Sequence, residues 1–316
     1  MKKILCIGGI TADILINPLN RLPEPGTLCR TKSIRQTVGG CAANAAIDLA
    51  RLGVSVTIAC KVGLDAFGKS VVHEMQKNGV DTEGVSWTRT PTSASVVAVD
   101  DMGERSFIYS PGSTSELTLA DIPEKLIDEN DIIFIASALL LEKLDGKGAA
   151  ELLKKAQEKG KFTVMDTVWD DTGRWMERIR PAMPYLDLFM PSIEEARELA
   201  GFSDPDRIAD VFFDEGVGSV IIKMGTKGSY ICESRDVRYQ VPAFLEEHPA
   251  DTNGAGDSFC AGFLCGLARG QDFKSSARFA SAVGRYCVLG SGPYSGIPQM
   301  EEIDRFLEEK GGVIHE

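Results

Sequence analysis

Short apolar runs that alternate with alanine- and leucine-rich helical patterns constrain the fold of this 316-residue chain more than any other feature. The apolar runs predict buried strands at residues 4–7, 55–60, 131–136, 162–165, 186–190 and 219–223. Helical patterns between them, at 42–52, 147–159 and 193–200, each end at a glycine, the residue that most readily takes the left-handed turn closing a helix. This order predicts a three-layer α/β fold, a mostly parallel central sheet with helices on both faces.

Two stretches break the alternation. Residues 26–38 and 91–110 alternate polar with apolar or β-branched side chains and lack helical spacing. They predict strands of a small antiparallel sheet outside the main one. With a hinge at Gly39 and Gly40, this sheet would form a lid that excludes water from a site. The alternative is a hairpin that merely covers a sheet edge. No long linker or internal repeat is present, so residues 1–316 are expected to form one domain.

Charge and composition exclude several classes of partner. Acidic residues outnumber basic ones by 46 to 34, and the net charge is −12. Such a field repels nucleic acid and anionic membranes, so neither is expected as a partner. An anionic ligand must therefore be held locally, by backbone N–H groups or by a few cations.

Cysteine and histidine usage narrows the chemistry. The eight cysteines form no CxxC pair and several lie in apolar runs, which predicts reduced thiols and a cytoplasmic location. No apolar run approaches the roughly 18 residues of a membrane-spanning helix. Three histidines are too few for a multi-histidine metal site, so catalysis is expected to rest on carboxylates.

The sequence Asp-Thr-Asn-Gly-Ala-Gly-Asp at residues 251–257 is the sharpest motif, and an apolar helical pattern follows it at 258–268. Small residues leave the N–H groups of a helix start accessible, so Gly254, Ala255 and Gly256 are predicted to form an anion hole. Asp257, expected to stay ionised there, is placed to accept a proton from an alcohol. A capped helix with glycines for close packing is the alternative. Glycine in an opening turn costs up to about 1 kcal/mol, however, which capping alone does not require.

Residues 251–257 resemble the C-terminal signature of the ribokinase-like, or PfkB-type, family of carbohydrate kinases. Further segments match in order over nearly the whole chain: 21–26, 38–46, 51–53, 62–68 and 79–82. The resemblance implies a ribokinase-like fold with a β lid. It also implies Asp257 as the catalytic base, beside the anion hole already derived.

The resemblance places the substrates as well. Asp13, Gly40 and Asn44 match positions that bind the sugar, although Asp13 capping a turn and Asn44 capping a helix are alternatives. Nucleotide-binding positions are matched by Ser192, Glu195, Lys223, Gly225, Lys227 and Gly228. Glu195 would help to arrange Mg²⁺. Ser192 departs from the family's asparagine, and an exposed turn is the alternative for Lys227.

Two further regions follow from the resemblance. Asp251 and Asn253 match a monovalent-cation site suited to K⁺, completed by the loop at 290–295. Residues 166–170, Asp-Thr-Val-Trp-Asp, replace an Asp-Pro-Asn stretch of the family and indicate a subgroup with its own contacts. Arg105 and Tyr109 on the lid either face substrate or lie exposed. His248 is expected in a loop near the nucleotide, without a catalytic role.

Together these features predict an ATP-dependent kinase that phosphorylates a hydroxyl, expected to be primary, of a small sugar such as ribose, fructose or a related keto-sugar. A nucleoside kinase on the same fold is the nearest alternative. An NAD-type oxidoreductase is disfavoured because residues 8–13 lack GxGxxG and bring in an acid. A non-catalytic sugar sensor would be expected to lack Asp257. The family resemblance also allows a homodimer formed through the lid.

Overall fold

The computed structural model describes residues 1–102 and 105–311. A nine-stranded sheet crosses the described part of the chain in the order β13-β12-β11-β10-β9-β8-β1-β4-β5. Its strands are β1 (Ile4–Gly8), β4 (Val56–Gly63), β5 (Asp81–Thr88), β8 (Ile132–Ala138), β9 (Phe162–Thr167), β10 (Leu188–Phe189), β11 (Ser219–Lys223), β12 (Ser229–Cys232) and β13 (Arg238–Val241). All neighbouring strands from β11 to β5 in this order pair in parallel. At the other edge, β12 pairs antiparallel with both β11 and β13.

Helices cover both faces of this sheet. They are α1 (Cys41–Arg51), α2 (Ala66–Lys77), α3 (Glu124–Glu129), α4 (Lys147–Glu158), α5 (Met176–Ile179), α6 (Ile193–Ala200), α7 (Pro205–Asp214), α8 (Ala255–Ala268), α9 (Phe273–Cys287) and α10 (Met300–Lys310). Successive side chains of β1 pack into two separate cores, one on each face of the sheet. Ile4 and Cys6 belong to the core that includes α1 and α8, whereas Leu5 and Ile7 belong to the core that includes α4. The predicted three-layer α/β fold is confirmed.

Helix α8 packs closely against α9 because two glycines lie at the contact. A Cβ on Gly262 would meet the Ala280 Cα at 2.7 Å, and one on Gly266 would meet the Ser276 Cα at 2.8 Å. The packing role considered for glycines of this helix therefore applies to these two. It leaves the glycines at the start of α8 to be explained separately.

The small sheet has four strands in the order β3-β2-β6-β7, namely β2 (Thr11–Asn17), β3 (Ser33–Gly39), β6 (Ala94–Val99) and β7 (Arg105–Ser110). Three findings correct the sequence boundaries. Strand β3 occupies only the end of the predicted 26–38 stretch, β2 was not predicted at all, and β2 pairs with β6 in parallel. Strand β2 was missed because the apolar residues continue from β1 into β2, so the sequence does not mark where the chain passes from the large sheet to the small one.

The two faces of the small sheet differ. The strand register places Asp13, Ser95 and Tyr109 on the face toward the large sheet. The opposite face carries Ile14, Ile16, Ile34, Val96 and Ile108, of which Ile34 is 65% and Ile108 60% exposed. Among the described residues, no helix combines the length and apolarity needed to cross a bilayer. All eight cysteines are free thiols, and Cys29 is the exposed one.

Candidate active site

Asp257 lies in the first turn of α8, where the helix meets the start of α1. Gly254 is the N-cap of α8 in the left-handed conformation, with φ 80°. A Cβ there would stand 2.6 Å from both the Cβ and the carbonyl oxygen of Pro293, so the position requires glycine. Asn44, in the first turn of α1, donates from Nδ2 to Asp257 Oδ2 at 2.8 Å. The two sequence-predicted residues are thus in direct contact, 213 positions apart in the chain.

The environment of Asp257 raises its pKa. Burial is the largest cause and Glu195 adds to it, whereas the Asn44 hydrogen bond, the Lys223 charge and the Cys41 thiol act in the opposite direction. The net shift is upward, opposite to the influence expected from a helix N-terminus, because burial outweighs it. A carboxylate with a raised pKa is a stronger base than an ordinary aspartate, which suits proton abstraction near neutral pH.

The backbone around Asp257 offers N–H groups to an anion, but not equally. The N–H of Ala255 is already directed at the Thr252 carbonyl at 3.4 Å. Gly256 is exposed, and the nearest atom that a Cβ there would meet is Lys223 Nζ, at 3.7 Å. Open space with an ammonium group at its border therefore lies in front of the helix start. This arrangement favours a negatively charged group at Gly256.

Lys223 belongs to a buried ion pair that sequence reasoning only partly found. Its Nζ donates to Asp166 Oδ2 at 2.6 Å and lies 3.6 Å from Cys260 Sγ. Burial alone would lower the pKa of Lys223, but Asp166, Cys260 and Glu195 raise it well above its ordinary value. The lysine is therefore expected to carry its charge at neutral pH. Asp166 stands in the 166–170 segment that departs from the family pattern, and its role as the partner of Lys223 had no signal in the sequence.

Ser192 and Glu195 form a reciprocal cap at the start of α6. Ser192 Oγ accepts from the Glu195 N–H at 3.3 Å, and Glu195 Oε2 accepts from the Ser192 N–H at 3.0 Å. Thr167 Oγ1 also donates to Glu195 Oε2 at 3.0 Å. Ser192 lies beside Lys223 through a parallel bridge between their backbones. The serine thus performs a capping function here, and the cap fixes the carboxyl group of Glu195 near the cation.

The turn at residues 225–228 connects β11 and β12 just beyond Lys223. Gly228 must be glycine, because its φ is 87° and a Cβ would meet the Val241 carbonyl oxygen at 2.0 Å. Gly225 has φ 56° and open space around it. Lys227 is exposed, so it lies outside the buried cluster around Lys223. The structure places this turn at the rim of the site and Lys223 inside it.

Asp13 forms a second polar centre under the small sheet. It is 7% exposed, and its Oδ1 accepts from Thr11 Oγ1 and Ser95 Oγ, both at 2.6 Å. Burial raises the pKa of Asp13, whereas these two hydroxyl groups act in the opposite direction. A Cβ on Gly39 would lie 1.9 Å from Asp13 Oδ2, so that oxygen is approached by bare backbone. Gly40, with φ 90°, is the N-cap of α1.

Asp251 fastens two loops together ahead of α8. Its Oδ1 accepts from the Asn253 N–H at 2.7 Å and its Oδ2 from the Gly292 N–H at 2.9 Å. The carbonyl oxygens of Asn253 and Pro293 converge on Cys287 Sγ, at 3.4 and 3.3 Å. The two loops thus contribute a carboxylate and two carbonyl oxygens to neighbouring contacts, and oxygen donors are the ligands that K⁺ prefers.

The small sheet reaches this same loop. Arg35 Nη2 donates to Ser291 Oγ at 3.2 Å, and the hydroxyl groups of Thr37 and Tyr294 are 3.3 Å apart. A cavity of about 330 Å³ lies between these groups and α2, and a second of about 300 Å³ extends from Leu15 and Val99 to Asp251. Space for ligands therefore borders the inner face of the small sheet, and Asp257 does not line either of these two cavities.

Comparison with known proteins decides the family. The model of the pfkB family of carbohydrate kinases matches residues 1–300. The chain belongs to this family. It is 28% identical over 306 residues to the 2-dehydro-3-deoxygluconokinase of Bacillus subtilis, covering 92% of each chain. It is also 28% identical to the ribokinase of the same organism, over 97% of this chain and all of that one.

A solved structure agrees with the sequence comparison. The fructokinase of Xylella fastidiosa, crystallised with bound ATP, matches with a TM-score of 0.83 and 25% identity over 98% of this chain and 99% of that one. The suspected family and the activity class, a phosphotransferase with an alcohol acceptor, are confirmed. The particular acceptor is not confirmed, because these relatives are named as kinases of different sugars and their sequence identities to this chain are similar.

Family membership leaves several residues of the site unassigned. Tyr109 is directed under the small sheet, where burial raises its pKa to about 12. The side chain of Arg105 lies outside the described residues. His248 is exposed. Ser95 and Asp166 were missed as site residues, since nothing in a strand pattern marks which polar side chain will meet a carboxylate or a cation far away in sequence.

Proposed function

We propose that the protein is an ATP-dependent kinase of a small uncharged sugar, with Asp257 as the base. The observation that carries this proposal is the group formed at the start of α8: a carboxylate with a raised pKa, an open helix N-terminus at Gly256, and Lys223 Nζ at its border. A base next to a site for negative charge is what phosphoryl transfer to an alcohol requires.

The reaction follows from these groups. The acceptor hydroxyl gives its proton to Asp257 while its oxygen forms a bond to the γ-phosphorus. The bond between that phosphorus and the β,γ-bridging oxygen breaks, and ADP leaves with its electron pair. The amides of Gly254, Ala255 and Gly256, with Lys223, stabilise the charge on the transferred oxygens, and the Gly256 amide is the most open of the three.

The acceptor would bind between Asp257 and the small sheet. Asp13, anchored by Thr11 and Ser95, presents Oδ2 toward bare backbone and suits a sugar hydroxyl. Asn44 is 5% exposed, and its Oδ1 has no hydrogen-bond partner among the described residues. Together with the backbone of Gly40, these acceptors favour a polyhydroxyl compound. The aspartates at both ends of the site disfavour a sugar acid.

The nucleotide would lie along Ser192, Glu195, Lys223, Gly225, Lys227 and Gly228. Carboxylate oxygens are the ligands that Mg²⁺ prefers, and Glu195 and Asp166 supply them beside Lys223. When bound with ATP, Mg²⁺ neutralises charge on the phosphate groups. K⁺ would be held by Asp251 and by the carbonyl groups of Asn253 and Pro293, where it stiffens the loop ahead of α8.

An ADP-release assay tests the proposed acceptor and the proposed cation together. The panel consists of D-ribose, D-fructose, adenosine and 2-dehydro-3-deoxygluconate, each in K⁺ and in Li⁺ buffers of equal ionic strength. We expect release with a neutral sugar and a severalfold higher rate in K⁺. Release with adenosine alone would establish the nucleoside-kinase alternative. Release with the sugar acid alone would refute the uncharged acceptor, and equal rates in both salts would refute the K⁺ site.

We propose further that two copies pair through the outer face of the small sheet. The exposed isoleucines Ile34 and Ile108 lie on that face beside Ile14, Ile16 and Val96. An apolar patch of this kind favours burial against a second copy. Sedimentation velocity should show a dimer for the wild type and a monomer for Ile34→Asp/Ile108→Asp. Leu245→Asp, at a similarly exposed position elsewhere, is the matched control and should leave the dimer intact. A monomeric wild type would contradict the proposal.

A further inference from the structure

The end of β8 and the turn that follows it hold two non-glycine residues in the left-handed backbone conformation. Ser137 has φ 72° and Leu139 has φ 83°. Side chains disfavour this conformation, and it persists only where the surroundings impose it. This segment, residues 137–141, lies at the carboxyl edge of the sheet, where sites of open α/β sheets form. Backbone strain at this edge of the sheet indicates that the surrounding contacts hold a nearby side chain in one fixed position.

A buried ion pair imposes the strained conformation. Asp145 Oδ2 accepts the N–H groups of Leu139 and Leu141, at 3.1 and 3.2 Å. Arg178 donates to the Leu139 carbonyl oxygen at 2.6 Å and to Asp145 Oδ2 at 2.9 Å. The side chains of Arg178 and Asp145 are 6% and 3% exposed. A buried pair of opposite charges therefore fixes the backbone on the carboxyl side of Ser137.

The Ser137 hydroxyl lies at the start of this segment, at the end of β8. Ser137 is 2% exposed, and its Oγ has no well-formed hydrogen bond among the described residues, only a weak contact with the Cys41 thiol. A Cβ on Gly9 would stand 3.2 Å from that oxygen, so the glycine leaves room beside it. The thiol of Cys41, a weakly polar group, lies beside both Ser137 and Asp257. The Ser137 hydroxyl, whose neighbour is only this weakly polar thiol, is thus separated from the proposed base by one side chain.

We propose that Ser137 Oγ binds a second hydroxyl group of the acceptor and so determines specificity for a polyhydroxyl substrate. The inference rests on the proposed kinase function. A serine hydroxyl can donate one hydrogen bond and accept two. Left unpaired in the interior it carries a desolvation penalty, which an acceptor hydroxyl relieves and a deoxy analogue does not.

The test compares two serine-to-alanine variants. Ser137→Ala removes the proposed contact. Ser276→Ala is the matched control, because its Oγ is also buried without a partner among the described residues but lies in α9 against Gly266. With D-ribose or D-fructose as acceptor, Ser137→Ala should raise the acceptor KM about tenfold and leave the KM for ATP unchanged. Ser276→Ala should change neither constant. Removal of the Ser137 hydroxyl should change the unfolding temperature little, because only a weak contact with the Cys41 thiol is lost.

A third variant separates the hydroxyl from the backbone. Ser137→Gly fits the left-handed conformation and should raise the unfolding temperature, yet it should also raise the acceptor KM. An unchanged acceptor KM in both Ser137 variants would overturn the inference while leaving the kinase function intact. Wild-type protein that released no ADP with any alcohol of the panel would overturn both. Among deoxy analogues of the acceptor, the one that lacks the hydroxyl bound by Ser137 should bind the wild type more weakly than the parent sugar does. The Ser137→Ala variant should bind this analogue and the parent sugar equally.

Discussion

Replacement of Asp257 by alanine should lower turnover by a factor of about 10² to 10⁴ while the protein stays folded and still binds ATP. The reason is that the proposed mechanism gives the acceptor proton to Asp257, whereas it assigns phosphate binding to the amides of α8 and to Lys223. Rates of ADP release and calorimetric titration with ATP measure the two properties separately. Asp257→Asn, which keeps the size of the side chain, should lose activity to a similar extent.

Control variants make this result specific. Asp272→Ala removes a carboxylate from the N-cap of α9, where it accepts from the Ser275 N–H at 2.7 Å. It should cost about 1 kcal/mol of stability and leave turnover unchanged. Turnover of Asp257→Ala comparable to that of the wild type would show that the proton goes elsewhere.

The pH profile gives a second reading of the same group. Asp257 must be ionised to act as a base, and burial raises its pKa. Activity should therefore fall, as the pH is lowered, at a pH above the ordinary aspartate pKa of about 3.9. Asn44→Ala removes a hydrogen bond that lowers this pKa. The acid limb of that variant should move to still higher pH, and movement to lower pH would contradict the assignment.

Replacement of Lys223 by methionine should lower both stability and turnover. Asp166, 2% exposed, would lose its partner at 2.6 Å and be left as an uncompensated buried carboxylate. Breaking a buried pair in this way costs about 3 to 5 kcal/mol. Turnover should fall by roughly 10², because the cation bordering the proposed anion hole is gone. Denaturant unfolding and ADP release measure the two losses.

A double variant tells the two effects of Lys223 apart. Lys223→Met/Asp166→Asn removes both charges, and the amide oxygen introduced by the second substitution can still accept the Thr167 N–H that Asp166 Oδ1 now accepts at 2.8 Å. Stability should return to within about 1 kcal/mol of the wild type, but turnover should stay low. Arg235→Met breaks an exposed pair with Asp214 and should cost at most about 1 kcal/mol. Recovery of turnover in the double variant would show that Lys223 serves only to neutralise Asp166.

The sequence predicted the layers of the fold and the motif at the start of α8, because both are written in local patterns. Buried strands and glycine-terminated helices have periodicities of their own. The three small residues before Asp257 also indicate the start of α8, and this local signal does not depend on how the rest of the chain folds. The same patterns could not separate β1 from β2, since one apolar stretch continues through both.

Contacts between distant residues were beyond local pattern. Asp166 meets Lys223 across 57 positions, and Ser95 meets Asp13 across 82. Ser137 is an ordinary residue in sequence, and only its backbone angle and its empty hydrogen-bonding capacity distinguish it. The capping role of Ser192 was equally hidden behind its departure from the family pattern. Each of these depends on which strand ends the topology brings together.

Position 39 has no room for a side chain while Asp13 keeps its present conformation. Even a methyl group there would meet Asp13 Oδ2 at 1.9 Å, far inside van der Waals contact. A side chain at position 39 therefore requires that Asp13 move or be replaced, and a library that varies position 39 alone is expected to return mostly destabilised variants. Redesign of the enzyme for a new acceptor should randomise the two codons together.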